Sequence, residues 1–294
     1  MLTPQTKHLR LAKIIGLNQP LYFKREDLHP LHSHKGRSLP IMIDRHLQKG
    51  MSNFVISSSG NAAFASALYI KKYNQKHKNK LTLQIFVGEK IDASKLKKIK
   101  KIADENIIVT QIKNPKQSAF QLQKNRQFIY LRQSTDDNAL IGYEILAKEL
   151  CKIKNLAAVF VPTSSGTTAL GLYQGFKKLK KQIQIHIVQT STIHPIAENF
   201  SPPKESVQTE ISLANAIVDK VALRKPTVVT AIKNSGGWGW VASNQEIKEA
   251  IQATSKTEKI KLSPNSALAV AGLQKALKNN WNFNGAVVCL ITGQ

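Results

Sequence analysis

Cysteine is almost missing from this chain. Cys151 and Cys289 are the two it has, enough for at most one bridge, which excludes a disulfide framework and a cysteine-rich metal cluster. Long apolar runs are missing too. No stretch approaches the roughly twenty apolar residues that a membrane span needs, and the opening MLTPQTKHLRLAKI lacks a signal peptide's hydrophobic core. These absences predict a cytoplasmic protein with no membrane partner. Acidic residues are scarce, 18 Asp and Glu against 43 Lys and Arg, leaving a formal charge of +25. Such a charge makes nucleic acid the first suspect. The lysines, however, are scattered through helical stretches, with no zinc-finger spacing or RNA-binding signature beside them. Leu96, Ile99 and Ala103 recur at helical spacing, so Lys95, Lys97, Lys98, Lys100 and Lys101 fall on solvated faces of an amphipathic helix. The expectation is therefore no specific nucleic-acid partner, only weak and salt-sensitive attraction to polyanions.

What is present is a foldable core. With 294 residues and 42% hydrophobic content, the chain can make one large or two modest domains. Strand candidates are Leu21–Phe23, Phe54–Ile56, Leu83–Val87, Ile107–Ile112, Phe128–Leu131, Ala157–Val161, Ile183–Val188 and Ala286–Ile291, with helices filling most of the gaps. This alternation predicts an α/β architecture with a parallel sheet covered on both sides. Polar breaks at residues 50–53 and 136–138 bracket a smaller domain, 41–139, against a larger one of 1–40 plus 140–294.

Three polar turns carry the chemistry. In LYFKREDLHPLHSHKGRS a short strand feeds a turn at Pro30, and Ser33 is placed to cap a helix that begins near His34 or Lys35. An amine there can form a Schiff base. The second turn, Ser57-Ser58-Ser59-Gly60-Asn61, follows Phe54–Ile56 and leads into an alanine-rich helix from Ala62 to Lys72. The third, Pro162 to Thr168, follows Ala157–Val161 and leads into a helix that runs to about Lys181. Amides and hydroxyls at a helix start attract carboxylate or phosphate. Two anion sites and one reactive lysine suggest pyridoxal phosphate.

At these residues the chain resembles the tryptophan-synthase-beta-like, fold-type-II family of pyridoxal-phosphate enzymes. KREDLHPLHSHKGR is similar to the cofactor-lysine motif of threonine dehydratases and threonine synthases, SSGNAA to their Ser-Gly-Asn loop, and PTSSGTTALG to their phosphate loop. STDDNALIGYEILAKEL, SPNSALAVAGLQKAL and CLITG match later landmarks in the same order. The resemblance implies two open, twisted, mostly parallel sheets flanked by helices, with the cofactor cleft between a large and a small mobile domain. It implies that Lys35 carries the cofactor and acts as the general base, and that Asn61 contacts the cofactor's ring oxygen. Ser58, Ser59, Gly60 and Ala62 would bind the substrate carboxylate. Thr163, Ser164, Ser165, Gly166 and Thr167 would wrap the phosphate, and Thr292 would meet the pyridine nitrogen. A homodimer acting on a small amino acid is the family's pattern.

The chain also departs from that pattern. Family phosphate loops are usually richer in glycine than Thr163–Thr167, an aromatic residue usually stands where His34 precedes the lysine, and family members often continue beyond the Thr292 ending. The KRED-L-x-P spacing favours a lyase that eliminates the β-hydroxyl of serine or threonine. SSGNAA, IGYEILAKEL and the Thr-Gly ending favour a threonine-synthase-like enzyme acting on a phosphorylated homoserine, or related replacement chemistry. The departures favour a cofactor-binding protein with little turnover. His29, His32 and His34 lack an adjacent carboxylate or cysteine set, so no metal site is expected. Gly236 to Trp240 reads as a flexible aromatic loop forming a hydrophobic plug.

Overall fold

The computed structural model describes residues 2–125, 127–200 and 211–293. Its elements in chain order begin with β1 (Gln5–Lys7), α1 (Leu9–Ile14), β2 (Leu21–Arg25) and α2 (Lys35–Leu47). Next come β3 (Asn53–Ser57), α3 (Asn61–Lys76), β4 (Thr82–Gly88), α4 (Ala93–Lys100), β5 (Ile107–Ile112), α5 (Pro115–Lys124) and β6 (Ile129–Tyr130). The remainder is α6 (Asn138–Leu150), β7 (Leu156–Pro162), α7 (Thr167–Lys178), β8 (Gln184–Thr190), α8 (Lys225–Ser235), β9 (Gly239–Ala242), α9 (Asn244–Glu258), α10 (Pro264–Lys278) and β10 (Ala286–Ile291). Two compact units result, residues 1–28 with 143–294, and residues 29–142. Lys35 and its turn belong to the second.

The first unit holds a six-stranded sheet in the order β1-β2-β10-β7-β8-β9. All its pairs are parallel except β1 with β2. β10 is buried at every residue, as expected of a central parallel strand covered on both faces. Helix α10 packs across β7, β8, β9 and β10 through Ala267, Val270, Ala271 and Leu273. Among the described residues, Lys24 and Glu149 form an ion pair sunk in this unit. Lys24 Nζ donates to Glu149 Oε2 at 2.7 Å and to the Thr3 carbonyl at 2.8 Å.

The second unit holds an all-parallel sheet in the order β5-β4-β3-β6. Alternation along its strands assigns the faces. Phe54 and Ile56 of β3, with Leu83, Ile85 and Val87 of β4, join Leu39, Met42 and Ile43 of α2 and the alanine face of α3. Val55 and Phe86 point the other way and pack with Ala119 of α5. Both faces are covered, which is why β3 reads as an unbroken apolar run from Phe54 to Ile56.

The strand candidates all emerge as strands, with ends shifted by at most two residues. Two strands were not anticipated. β1 is too short and polar to announce itself. β9 corrects the reading of Gly236 to Trp240 as a flexible loop, since Gly239 and Trp240 pair with Ile187 and Val188. A Cβ at Gly239 would meet the Phe200 ring at 2.6 Å, so glycine there serves close packing within an ordered edge strand.

Candidate active site

Within the second unit, Lys35 is the first residue of α2 and Asn61 the first of α3. α2 hands the chain to β3 across a short turn, and α3 joins β3 to its parallel neighbour β4. Both helices pack on this sheet and run against its strands, so both begin at the strands' carboxyl ends. Tyr69 Oη donates to Asp44 Oδ1 at 2.5 Å, linking points eight residues beyond Asn61 and nine beyond Lys35. At about 1.5 Å of rise per residue, the two helix starts lie at nearly the same level.

The turn before Lys35 is built by its neighbours. His32 takes a left-handed φ of 63° and its amide donates to the His29 carbonyl at 2.6 Å, closing the turn around Pro30. The Leu31 amide donates to His29 Nδ1 at 3.0 Å, fixing a buried imidazole against Gly36, where a Cβ would overlap the ring. The N-cap of α2 is His34, without a side-chain cap, so the expected capping by Ser33 is corrected: its Oγ only accepts the Lys35 amide at 3.4 Å from one residue earlier. Lys35 is half-buried, and among the described residues no carboxylate pairs with its amine. Buried Lys24, by contrast, is neutralised by Glu149.

The turn after β3 contains Ser58, Ser59, Gly60, Asn61 and Ala62, all half-buried. Gly60 is the N-cap of α3 and supplies no side-chain cap, so the first amides of the helix start without a capping hydroxyl. Its φ of −132° is open to any residue, so the backbone here does not demand glycine. The space where its Cβ would stand is open, as a ligand-facing turn requires.

Within the first unit, β7 and β10 are adjacent and parallel, with Phe160 opposite Cys289. Thr163 and Thr292 each lie three residues further along, so the phosphate-loop candidate and the ring-nitrogen candidate leave neighbouring strands at one level. Ligand sites of parallel sheets form at this carboxyl edge. Thr163 is pinned, its amide donating to the Val188 carbonyl at 2.9 Å and its hydroxyl to the Val161 carbonyl at 2.8 Å. Ser165 and Thr167 share a hydroxyl bond of 3.0 Å. Gly166 takes a φ of 83° as the N-cap of α7, and Val228 occupies the space beside it. Left-handed backbone and lack of room both demand glycine there. Thr292 is buried, with its hydroxyl 3.4 Å from Ser266 Oγ. Ser263 and Ser266 each donate to the Gly293 carbonyl at 2.7 Å and so brace this strand end.

Some supporting residues escaped the sequence reading. Ser263 was legible as an N-cap before Pro264 and an apolar run. Gln189, whose Oε1 accepts the amides of Ile196 and Ala197 at 2.9 Å and whose Nε2 donates to the Ser164 carbonyl at 3.4 Å, carries no local signal. Nor does Asp219, which accepts from Ser164.

These groups fit one class of cofactor. Helix-start amides and hydroxyls suit a phosphate, an amine without an acidic partner suits an aldehyde, and a buried neutral hydroxyl suits a ring nitrogen. The chain belongs to the family of pyridoxal-phosphate-dependent enzymes, whose model matches residues 2–293. It is 25% identical to threonine synthase of Methanocaldococcus jannaschii over 99% of this chain and 74% of that protein. It is 22% identical to the mitochondrial threonine dehydratase of Schizosaccharomyces pombe, over 99% of this chain and 48% of that one. Threonine deaminase isoform 2 of Solanum lycopersicum shares the fold with a TM-score of 0.82 at 18% identity, over 99% of this chain and 78% of that one. The expected fold class, two mainly parallel sheets flanked by helices, is thereby established together with pyridoxal phosphate as the cofactor.

Proposed function

We propose that this enzyme is an amino-acid lyase that removes the β-hydroxyl of serine or threonine. The observation that carries the reading is the buried, neutral hydroxyl of Thr292, which we assign to the ring nitrogen. Bound pyridoxal phosphate supplies an electron sink for the pair released when the substrate's α-proton leaves. Thr292 offers that ring a hydrogen bond but no acidic proton, which keeps the sink shallow and favours prompt loss of a β-leaving group over transamination. Lys35 would hold the cofactor through its amine, and the same Nζ would take the substrate's α-proton. Asn61 orients the ring through its oxygen. The turn at Ser58, Ser59, Gly60 and Ala62 binds the substrate carboxylate with amides and hydroxyls. Thr163, Ser165, Gly166 and Thr167 hold the phosphate from the start of α7.

A threonine-synthase-like activity is the second reading, favoured by the relative from Methanocaldococcus jannaschii. Its phosphorylated substrate would bring a second phosphate, which proteins usually meet with Arg or Lys. Among the candidate residues Lys35 alone carries a cation, and this favours elimination from an unphosphorylated amino acid. We place the protein in the cytoplasm as a homodimer, on the family's pattern. No described helix is long and apolar enough to cross a membrane.

The test is product analysis with the purified enzyme and added pyridoxal phosphate. Keto acid and ammonia from serine or threonine are expected. Inorganic phosphate and threonine from phosphohomoserine, without keto acid, would replace the first reading by the second. Cofactor uptake with neither product would leave a binding protein of low turnover.

A further inference from the structure

Ser164 is the second residue of the phosphate loop, yet its hydroxyl is fully occupied by another segment. It donates to Asp219 Oδ2 at 2.9 Å and accepts the amides of Val218 and Asp219 at 3.2 Å each. A hydroxyl has one proton and two lone pairs, so nothing remains for a ligand. The segment that carries Asp219 is itself anchored: Ala214 and Ile217 are buried in the core of the first unit, and the Ile217 amide donates to the Ala214 carbonyl at 3.1 Å. Asp219 is half-buried, so water screens its charge incompletely.

We infer that Asp219 is a positioning residue that limits how tightly this loop takes a phosphate. It withdraws the Ser164 hydroxyl from the donor set and sets a carboxylate beside an anion cradle. The phosphate is left to the loop amides and to donors such as Ser165, against a like charge one side chain away. Asp219 thereby lowers affinity for the phosphorylated form of the cofactor while leaving the ring and aldehyde contacts alone. The inference rests on the reading of Thr163–Thr167 as the cofactor's phosphate loop.

The experiment compares equilibrium binding of pyridoxal phosphate, pyridoxal and inorganic phosphate to the wild type, to Asp219→Asn, and to Asp219→Asn combined with Ser164→Ala. Asparagine keeps an oxygen for Ser164 and removes the charge. Asp219→Asn is expected to bind pyridoxal phosphate and inorganic phosphate about tenfold more tightly, the effect of relieving one nearby like charge at high effective dielectric, with pyridoxal unchanged. Adding Ser164→Ala should cost no further phosphate affinity. Unchanged or weaker phosphate binding by Asp219→Asn, or loss of pyridoxal phosphate but not pyridoxal on adding Ser164→Ala, would overturn the inference. A wild type that takes up neither pyridoxal phosphate nor pyridoxal would instead remove the cofactor reading on which it stands.

Discussion

Lowering the pH from 8 to 5 should weaken this fold through one residue, His186. It lies on β8, wholly buried, stacked on Phe160 at a centroid distance of 4.5 Å and flanked edge-on by Trp281 and Phe283. Trp240 Nε1 donates to His186 Nδ1 at 3.1 Å, so the ring's own proton sits on Nε2 and goes to Gln184 Oε1 at 3.1 Å. No site remains for a second proton without losing the tryptophan bond. Burial pushes the imidazole from its ordinary 6.5 down to about 3. The unfolded chain therefore binds a proton below pH 6.5 that the folded chain refuses. The stabilisation is complete above 6.5 and is lost progressively as pH falls toward 3. The slope is about 1.4 kcal/mol per pH unit, or about 2 kcal/mol by pH 5. Urea denaturation of the wild type and of His186→Gln at several pH values measures it, because glutamine does not titrate and other groups cancel in the difference. The variant is less stable at pH 8 but should lose about 2 kcal/mol less between pH 8 and 5. Equal pH dependence in the two proteins would refute the argument.

Gly166→Ala should strain the phosphate loop by about 1–2 kcal/mol through its left-handed backbone alone, and its methyl would press on Val228 at 2.6 Å. Thermal unfolding and pyridoxal phosphate titration should both register the loss, whereas unchanged cofactor affinity would argue that the loop does not hold phosphate. Lys24→Met should cost about 3–5 kcal/mol by removing the cation that faces the buried Glu149 carboxylate, and Lys24→Met with Glu149→Leu should recover most of it. Calorimetric unfolding of the single and double variants decides this, and equal losses in both would show that the pair's charges are not what matters.

Much of the architecture was legible because period and burial agree. Phe54, Val55 and Ile56 form a continuous apolar run since both faces of their sheet are covered, and SSGNAA reads as a turn and helix start since the alanines of α3 pack on that sheet. β9 was missed because its glycines look like loop residues. Gly239 instead admits Phe200 against the backbone and Gly237 packs on the Ile185 backbone, which only tertiary structure reveals. The placement of Lys35, Thr163 to Thr167 and Thr292 was legible because each follows an apolar strand and opens a helix or ends the sheet. The braces were not. Asp219 reaches Ser164 across 55 residues, and Gln189 reaches it across 25, with no local pattern to mark either contact.

The central claim is that the cofactor is held by the amine of Lys35. Borohydride reduction of the enzyme with pyridoxal phosphate, followed by peptide mass mapping, tests it at single-residue resolution. The expected result is one modified peptide carrying the cofactor mass on Lys35, abolished in Lys35→Ala with the fold intact. Modification spread over surface lysines, or unchanged in Lys35→Ala, would contradict it.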